Sequence, residues 1–310
     1  MTGGTDTALD DAAAVFASAR RQLFGVAYRM LGSVAEAEDV VQDAWVRWQT
    51  TDRSVVVNPQ AFLTTMTTRL AINVLQSARS RRETYIGPWL PEPVDTSADP
   101  TLGAERAEAL DVAMLVLLER LTPTERAAYV LREAFGYGYP EIADIVGVSQ
   151  AATRQLVSRA RKHLASERRN PVTAEERRTL LDAFLAAARA GDVGRLEHLL
   201  AEDAVSRADS NGAIKHVARV AVVGRAKVAR VLVSFADVFW IGVTAEPLEL
   251  NGEAALGLVR DGRLFGTLSV AASADGVHEA LWQFNPDKLE PLERTRAGRA
   301  GRAAPAGADD

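Results

Sequence analysis

The chain has 310 residues, of which 47% are hydrophobic and 25% charged, ordinary globular values that exclude wholesale disorder and leave room for two or three domains. With 36 Lys and Arg against 41 Asp and Glu the net charge is −5, which excludes an indiscriminate coat for nucleic acid but not local basic patches. The lack of any cysteine removes disulfides, thiolate metal sites and a cysteine nucleophile together and fits a reducing compartment.

The first twenty residues have no basic stretch ahead of an apolar core, and there is no apolar run of about 18 residues. Neither a signal peptide nor a membrane span is expected, and the expected location is cytoplasmic. Residues 12–50 read as two helices. In the first, Leu23, Val26, Ala27, Met30 and Leu31 form one stripe; Gly32 ends it, and Ser33 caps the next, with Glu36 three residues on as in a capping box. In the second, Val41, Ala44, Trp45 and Trp48 recur at helical spacing, and Glu36, Asp39 and Asp43 fall on the opposite face. Asn58-Pro59 breaks the chain before a third helix, whose polar stripe of Arg69, Asn73, Gln76 and Ser80 runs into the basic stretch 78–83.

The string GPWLPEP, 87–93, then places three prolines around Trp89 and Leu90. Proline cannot extend a helix and pushes the residue before it towards extended conformation, so the string reads as a stiff apolar hook, followed by a linker up to 104. Helical pattern returns from 105, with Thr122 and Pro123 as N-cap and first helical residue.

Residues 139–163 carry the most chemistry. Ile142, Ala143 and Val146 give a short helix an inner face, Gly147 supplies a turn tolerant of positive φ, and Ser149 caps a second helix whose Leu156 and Val157 point back inside. Gln150, Ala151, Arg154, Gln155 and Ser158 are left on the outer face near its N-terminal end, where a helix-turn-helix offers its recognition helix to the major groove. Arginine pairs with guanine and glutamine with adenine, while Arg159, Arg161 and Lys162, further along, suit phosphates. From 173 the pattern changes to a helix pair broken at Gly191 and Gly194, then to strand-like runs with an Asp261-Gly262 hairpin signal, an α+β pattern. The tail 291–310 reads as disordered by composition.

Residues 23–48 and 58–83 together resemble the second region of bacterial extracytoplasmic-function (ECF) sigma factors, and 121–164 resembles their fourth region. The resemblance covers roughly 12–168 and implies a multidomain fold: region 2 as a helical bundle over 12–83, a linker with the hook over 84–104, and region 4 as a helix-turn-helix over 105–169. The hook WLPEP and the later NPDKL, 285–289, resemble a subgroup with a fused SnoaL-like domain of the NTF2-like cone fold, here 173–290, acting in cis in place of a separate anti-sigma factor. The implied partners are the clamp helices of core RNA polymerase and the −10 and −35 promoter elements, with no cofactor, no metal and no enzymatic activity.

Within that frame Glu36, Asp39 and Asp43 dock on polymerase. Asn73, Gln76, Arg79 and Ser80, with charge from Arg81 and Arg82, meet the −10 strand, since melting captures single-stranded bases in polar pockets with cations on the backbone. Trp45 and Trp48 belong to the core. The helix-turn-helix reads −35 through Gln150, Ala151, Arg154, Gln155 and Ser158, with Arg159, Arg161 and Lys162 on phosphates. The interdomain set is Trp89, Leu90, Pro91, Glu92 and Pro93 against Asn285, Pro286, Asp287, Lys288 and Leu289. Where the subgroup carries a triple-glycine loop this chain reads NGAIK, keeping Gly212 and Lys215 after Asn211, and Ile214 is expected to obstruct close approach there.

Two other readings stay open. A conventional helix-turn-helix regulator would sense a small molecule in a cone cavity lined by Phe235, Phe239, Trp240 and Trp282. A cyclase- or isomerase-type enzyme would use Asp203, Asp209, His216 or His278 as general base.

Overall fold

The computed structural model describes the backbone of residues 3–82, 85–97, 112–165, 172–214 and 217–303, and side chains over 11–77, 85–97, 112–164, 172–214 and 217–298. The chain divides into two compact units, Met1–Thr84 with Leu115–Arg168, and Tyr85–Met114 with Arg169–Asp310.

The first unit is helical. α1 (Gly3–Leu31) packs on α2 (Val34–Thr50) and α3 (Pro59–Arg82). The stripe Leu23, Val26, Ala27, Met30 and Leu31 is fully buried. Ser33 caps α2 by accepting from the Glu36 amide at 3.3 Å. Trp48 is buried with its indole N–H donating to the Ala12 carbonyl at 3.0 Å, and Trp45 lies 5.0 Å from Phe16. α4 (Val112–Leu118), α5 (Pro123–Glu133), α6 (Tyr139–Val146) and α7 (Gln150–Ala165) follow. The expectation of a helix from 105 falls, up to 111, outside the described residues.

The two helical regions, expected as separate domains, form one unit because polar side chains of each reach backbone of the other. Arg69 of α3 donates to the carbonyls of Ile145 (2.9 Å) and Asp144 (2.8 Å) at the end of α6. Tyr137 takes a hydrogen bond from Gln22 (3.0 Å) and donates to Thr64 (3.1 Å). Arg126 of α5, 1% exposed, donates from Nε to the Arg29 carbonyl at 2.9 Å and pairs with Glu119 through a second nitrogen. Arg69 is therefore no free member of a solvated stripe.

The second unit is α+β. α8 (Ala174–Ala190) and α9 (Val193–Leu199) lead into β1 (Leu200–Asp209); β2 (Val222–Val223), α10 (Arg225–Ser234) and α11 (Ala236–Phe239) precede β3 (Val243–Leu250), β4 (Glu253–Arg260), β5 (Arg263–Ser273) and β6 (Gly276–Gln283), and α12 (Pro286–Ala303) closes the chain. The sheet order is β2-β1-β6-β5-β4-β3, with β1 parallel to β6 and every other pair antiparallel. Side chains alternate along the strands. Leu256 and Leu258 of β4, with Leu268 and Trp282, bury against Phe184 of α8, Leu196 of α9 and Val228 of α10. Ala255 and Val259 face the other side and pack on Leu289 and Leu292 of α12.

That second cluster corrects the expectation of a disordered tail for 291–303; 304–310 lie outside the described residues. Leu292 is buried, and Arg296 engages Glu293 (2.9 Å), approaches Glu246 and donates to the Gly262 carbonyl. The helix continues to Ala303 because an apolar i, i+3 pair and an arginine fan fasten it to the sheet. The Asp261-Gly262 hairpin forms with both residues at positive φ (51° and 76°).

Candidate nucleic-acid interface and hook seat

α6 ends at Gly147 in left-handed conformation (φ 72°), and Ser149 caps α7 by accepting from the Ala152 amide at 3.2 Å. Ile142, Ala143, Ile145, Leu156 and Val157 are buried, Val146 half-buried, so the turn is held from inside. Gln150, Ala151, Arg154, Gln155, Ser158, Arg159, Arg161 and Lys162 are all exposed on α7. They do not share one state. Arg154 rests on the Tyr139 ring at 5.5 Å, whereas Arg159 is paired with Glu125 (3.1 Å) and Arg161 with Glu133 (2.7 Å). Glu133 holds the Arg161 guanidinium above its usual pKa. Burial works against the Glu125 carboxylate, but the Thr122 hydroxyl and amide and Arg159 hold it below the usual carboxylate range. Two of the three cations expected on phosphates are thus engaged within the unit.

On α2, Asp39 and Asp43 are exposed and Glu36 half-buried. On α3, Asn73 and Gln76 are exposed; the side chains of Arg79, Ser80, Arg81 and Arg82 lie outside the described residues.

The hook belongs to the second unit and lies on the outer face of its sheet. Its seat is Asp209, the last residue of β1, with 0% exposure. One carboxylate oxygen accepts from the Tyr85 hydroxyl at 2.6 Å; the other accepts from the Leu90 amide at 2.9 Å and from Lys288 Nζ at 2.7 Å. Lys288 also donates to the Leu90 carbonyl (2.5 Å) and sits 4.2 Å above the Trp89 ring. Asn285 donates to the Tyr85 oxygen at 2.8 Å, and Gln283 to the Pro91 carbonyl at 3.3 Å. Burial first, and the Asp209 carboxylate second, push the Tyr85 phenol far above its usual pKa, so it stays a donor. Beyond the prolines, Val94 and Asn251 exchange two hydrogen bonds and the Thr96 amide donates to the Glu249 carbonyl at 3.1 Å, adding a short antiparallel bridge at the β3 end.

The anchor is Leu90, 2% exposed, with Pro91, Glu92 and Pro93 also buried; Trp89 is half-buried and serves as a lid on the ammonium. Leu289 is buried behind Lys288, while Pro286 and Asp287 are exposed. Gly212, with φ 77°, faces Ile86 of the hook, and a Cβ there would stand 3.2 Å from Ile86 Cδ1. Asn211 is also left-handed (φ 44°). Ile214 does not obstruct the hook, because it turns into the cavity on the opposite side of the sheet. Lys215 and His216 lie outside the described residues.

The candidate general bases do not assemble. Asp209 is the hook's buried counter-ion, Asp203 is exposed, His278 is half-buried, and none of the three lines the cavity. Sequence reasoning missed Tyr85 and Asp209 as seat residues; their only signal was a tyrosine just upstream of the prolines and an aspartate closing an apolar alternating run.

Comparison with known proteins decides the family. The Sigma-70 region 2 model matches residues 15–81 and the Sigma-70, region 4 model matches 111–164. Over 305 residues the chain is 40% identical to ECF RNA polymerase sigma factor SigJ of Mycobacterium tuberculosis, covering 93% of this chain and 96% of the relative. The chain belongs to the ECF RNA polymerase sigma factors. This sigma factor is also 28% identical over 293 residues to the probable ECF sigma factor SigI of the same species, covering 93% and 98% of the two chains. The crystal structure of the M. tuberculosis sigma factor SigJ superposes with a TM-score of 0.72 at 34% identity, covering 90% of this chain and 98% of that one. The region 2 match spans α1 to α3 and the region 4 match spans α4 to α7, so both fall in the helical part of the sigma factor. Among the described residues no helix is long and apolar enough to cross a membrane.

Proposed function

We propose that the chain is the promoter-recognition subunit of RNA polymerase, that it is not an enzyme, and that its C-terminal α+β unit is a SnoaL-like regulator acting in cis. The reading is carried by the outer face of α7: a rigid, capped helix presenting Gln150, Arg154, Gln155 and Ser158 to solvent at its N-terminal end. α2 would dock on core polymerase through Glu36, Asp39 and Asp43, and α3 would meet the −10 strand through Asn73 and Gln76, with Arg79, Ser80, Arg81 and Arg82 following.

In this reading the helical unit is in its resting form. Promoter elements named −10 and −35 lie on the order of 80 Å apart at about 34 Å per helical turn. A unit of roughly 140 residues has a radius of gyration of about 14 Å, too small to touch both. Regions 2 and 4 therefore part on promoter binding, breaking the bonds from Arg69 to α6 and from Arg126 to Arg29. The hook, seated on Asp209 and Lys288, sets the length of chain free to let them part.

The test is promoter-site selection with polymerase reconstituted from core enzyme and this chain. Arg154→Ala is expected to relax preference at a single −35 position, costing about 1–3 kcal/mol there, as loss of a bidentate base contact does. Lys162→Ala is expected to weaken all sites alike and to reduce the salt dependence. Site preference unchanged in Arg154→Ala would refute α7 as the reading helix.

A further inference from the structure

The α+β unit holds a cavity of about 460 Å³ between its sheet and α10–α11, open to solvent beside Phe235 and Val238. Native cores hold few voids larger than a water molecule, so a space of this size is a site rather than a packing fault. Its wall is aromatic. Phe239 stands edge-on to Trp240, Trp282 and Phe284, at ring distances of 4.8, 6.2 and 5.9 Å, and Phe265 stacks on Phe284 at 13°. Val238 and Ile241, 75% and 69% exposed, leave the end of α11 apolar in solvent.

Two polar side chains interrupt this wall. Ser206 accepts from the Trp282 indole at 3.2 Å and keeps its own proton to donate. Arg260 donates from one terminal nitrogen to the Phe239 carbonyl at 2.6 Å, and its guanidinium lies 4.7 Å over the Phe265 ring. Its Nε is buried with no hydrogen-bond partner, and among the described residues no carboxylate pairs with it. The residue is half-buried and lines the slot, so the rest of its guanidinium faces an apolar cavity with no anion to balance it, where an acceptor would be stabilised.

We infer that this cavity binds a flat, apolar organic acid, with its rings among the aromatic side chains and its anionic oxygen on Arg260. The site is independent of the promoter reading. It also lies back to back with the hook seat: Ser206, Ala208, Trp282 and Phe284 face the cavity, while Asp209 of β1, Gln283 at the end of β6 and Asn285 just beyond it hold the hook.

Two fluorescent probes of similar shape test the inference on the full chain: 1-anilinonaphthalene-8-sulfonate, an anion, and N-phenyl-1-naphthylamine, its neutral counterpart. Saturable binding of one anion per chain is expected, and Arg260→Met should weaken it on the order of tenfold or more while changing the neutral probe by less than about threefold. Because Arg260 also holds the Phe239 carbonyl, a second variant, Ala208→Phe, fills the cavity with Arg260 in place and is expected to abolish binding of both. The inference is overturned if neither probe binds, if Arg260→Met leaves the anion unaffected or weakens both probes alike, or if Ala208→Phe binds as the parent does.

Discussion

Replacing Asp209 by alanine is expected to cost the α+β unit about 3–5 kcal/mol and to free the hook. The carboxylate is wholly buried and accepts from Tyr85, Leu90 and Lys288 at 2.6, 2.9 and 2.7 Å. Removing it takes away the carboxylate that pairs with an ammonium only 11% exposed, which keeps the Leu90 carbonyl and the Trp89 and Tyr85 rings but loses its ion pair. Amide hydrogen exchange at Leu90 and chemical denaturation read the two effects together. A double variant, Asp209→Asn with Lys288→Met, removes both charges while keeping the shape and is expected to recover stability relative to Asp209→Ala, because no charge is then stranded. If the hook restrains regions 2 and 4, Asp209→Ala also changes promoter-dependent transcription at equal chain concentration. Leu90 protection and stability both at parent level in Asp209→Ala would show that the hook is held by its apolar contacts alone.

Arg126→Ala is expected to be nearly as damaging to the helical unit, about 3 kcal/mol or more. Burial with no full compensation pulls this guanidinium down to about 9, still protonated at neutral pH. It bridges Glu119 and the Arg29 carbonyl, so truncation opens a cavity and removes both the ion pair to Glu119 and the hydrogen bond to the Arg29 carbonyl. Lysine is a poor substitute, since a single ammonium cannot span both acceptors in the plane of a guanidinium. The check is amide hydrogen exchange of the full chain in rising denaturant, read on the peptides of α1 and α5. A loss below about 1 kcal/mol would mean that the unit relaxes around the missing side chain.

The helix-turn-helix was legible because every determinant is local: a left-handed Gly147, a serine cap and apolar residues at helical spacing within two dozen residues. The hook was legible as a rigid object, and the resemblance set Asn285 and Lys288 against it; Asp209 was missed because it meets Lys288 from 79 positions away. The strand β1 was hidden by the apolar run of α9 that flows straight into it at Leu199-Leu200. The run 216–224, rich in valine, reads as strand, yet of its described residues only Val222 and Val223 pair, as β2, while Val217 lines the cavity wall outside any strand. α12 was masked by its Arg, Gly and Ala composition, which outweighed the Leu289–Leu292 pair. Burial of Arg126 and Arg260 is set by tertiary neighbours that no spacing encodes.

The most direct measurement of the central claim is binding of the purified chain to core RNA polymerase, beside a variant carrying Glu36→Lys, Asp39→Lys and Asp43→Lys. The account predicts saturable binding by the parent and a loss greater than about tenfold in the variant, since like charges placed across an interface cost several kcal/mol. No binding by the parent, or equal binding by both, would contradict it.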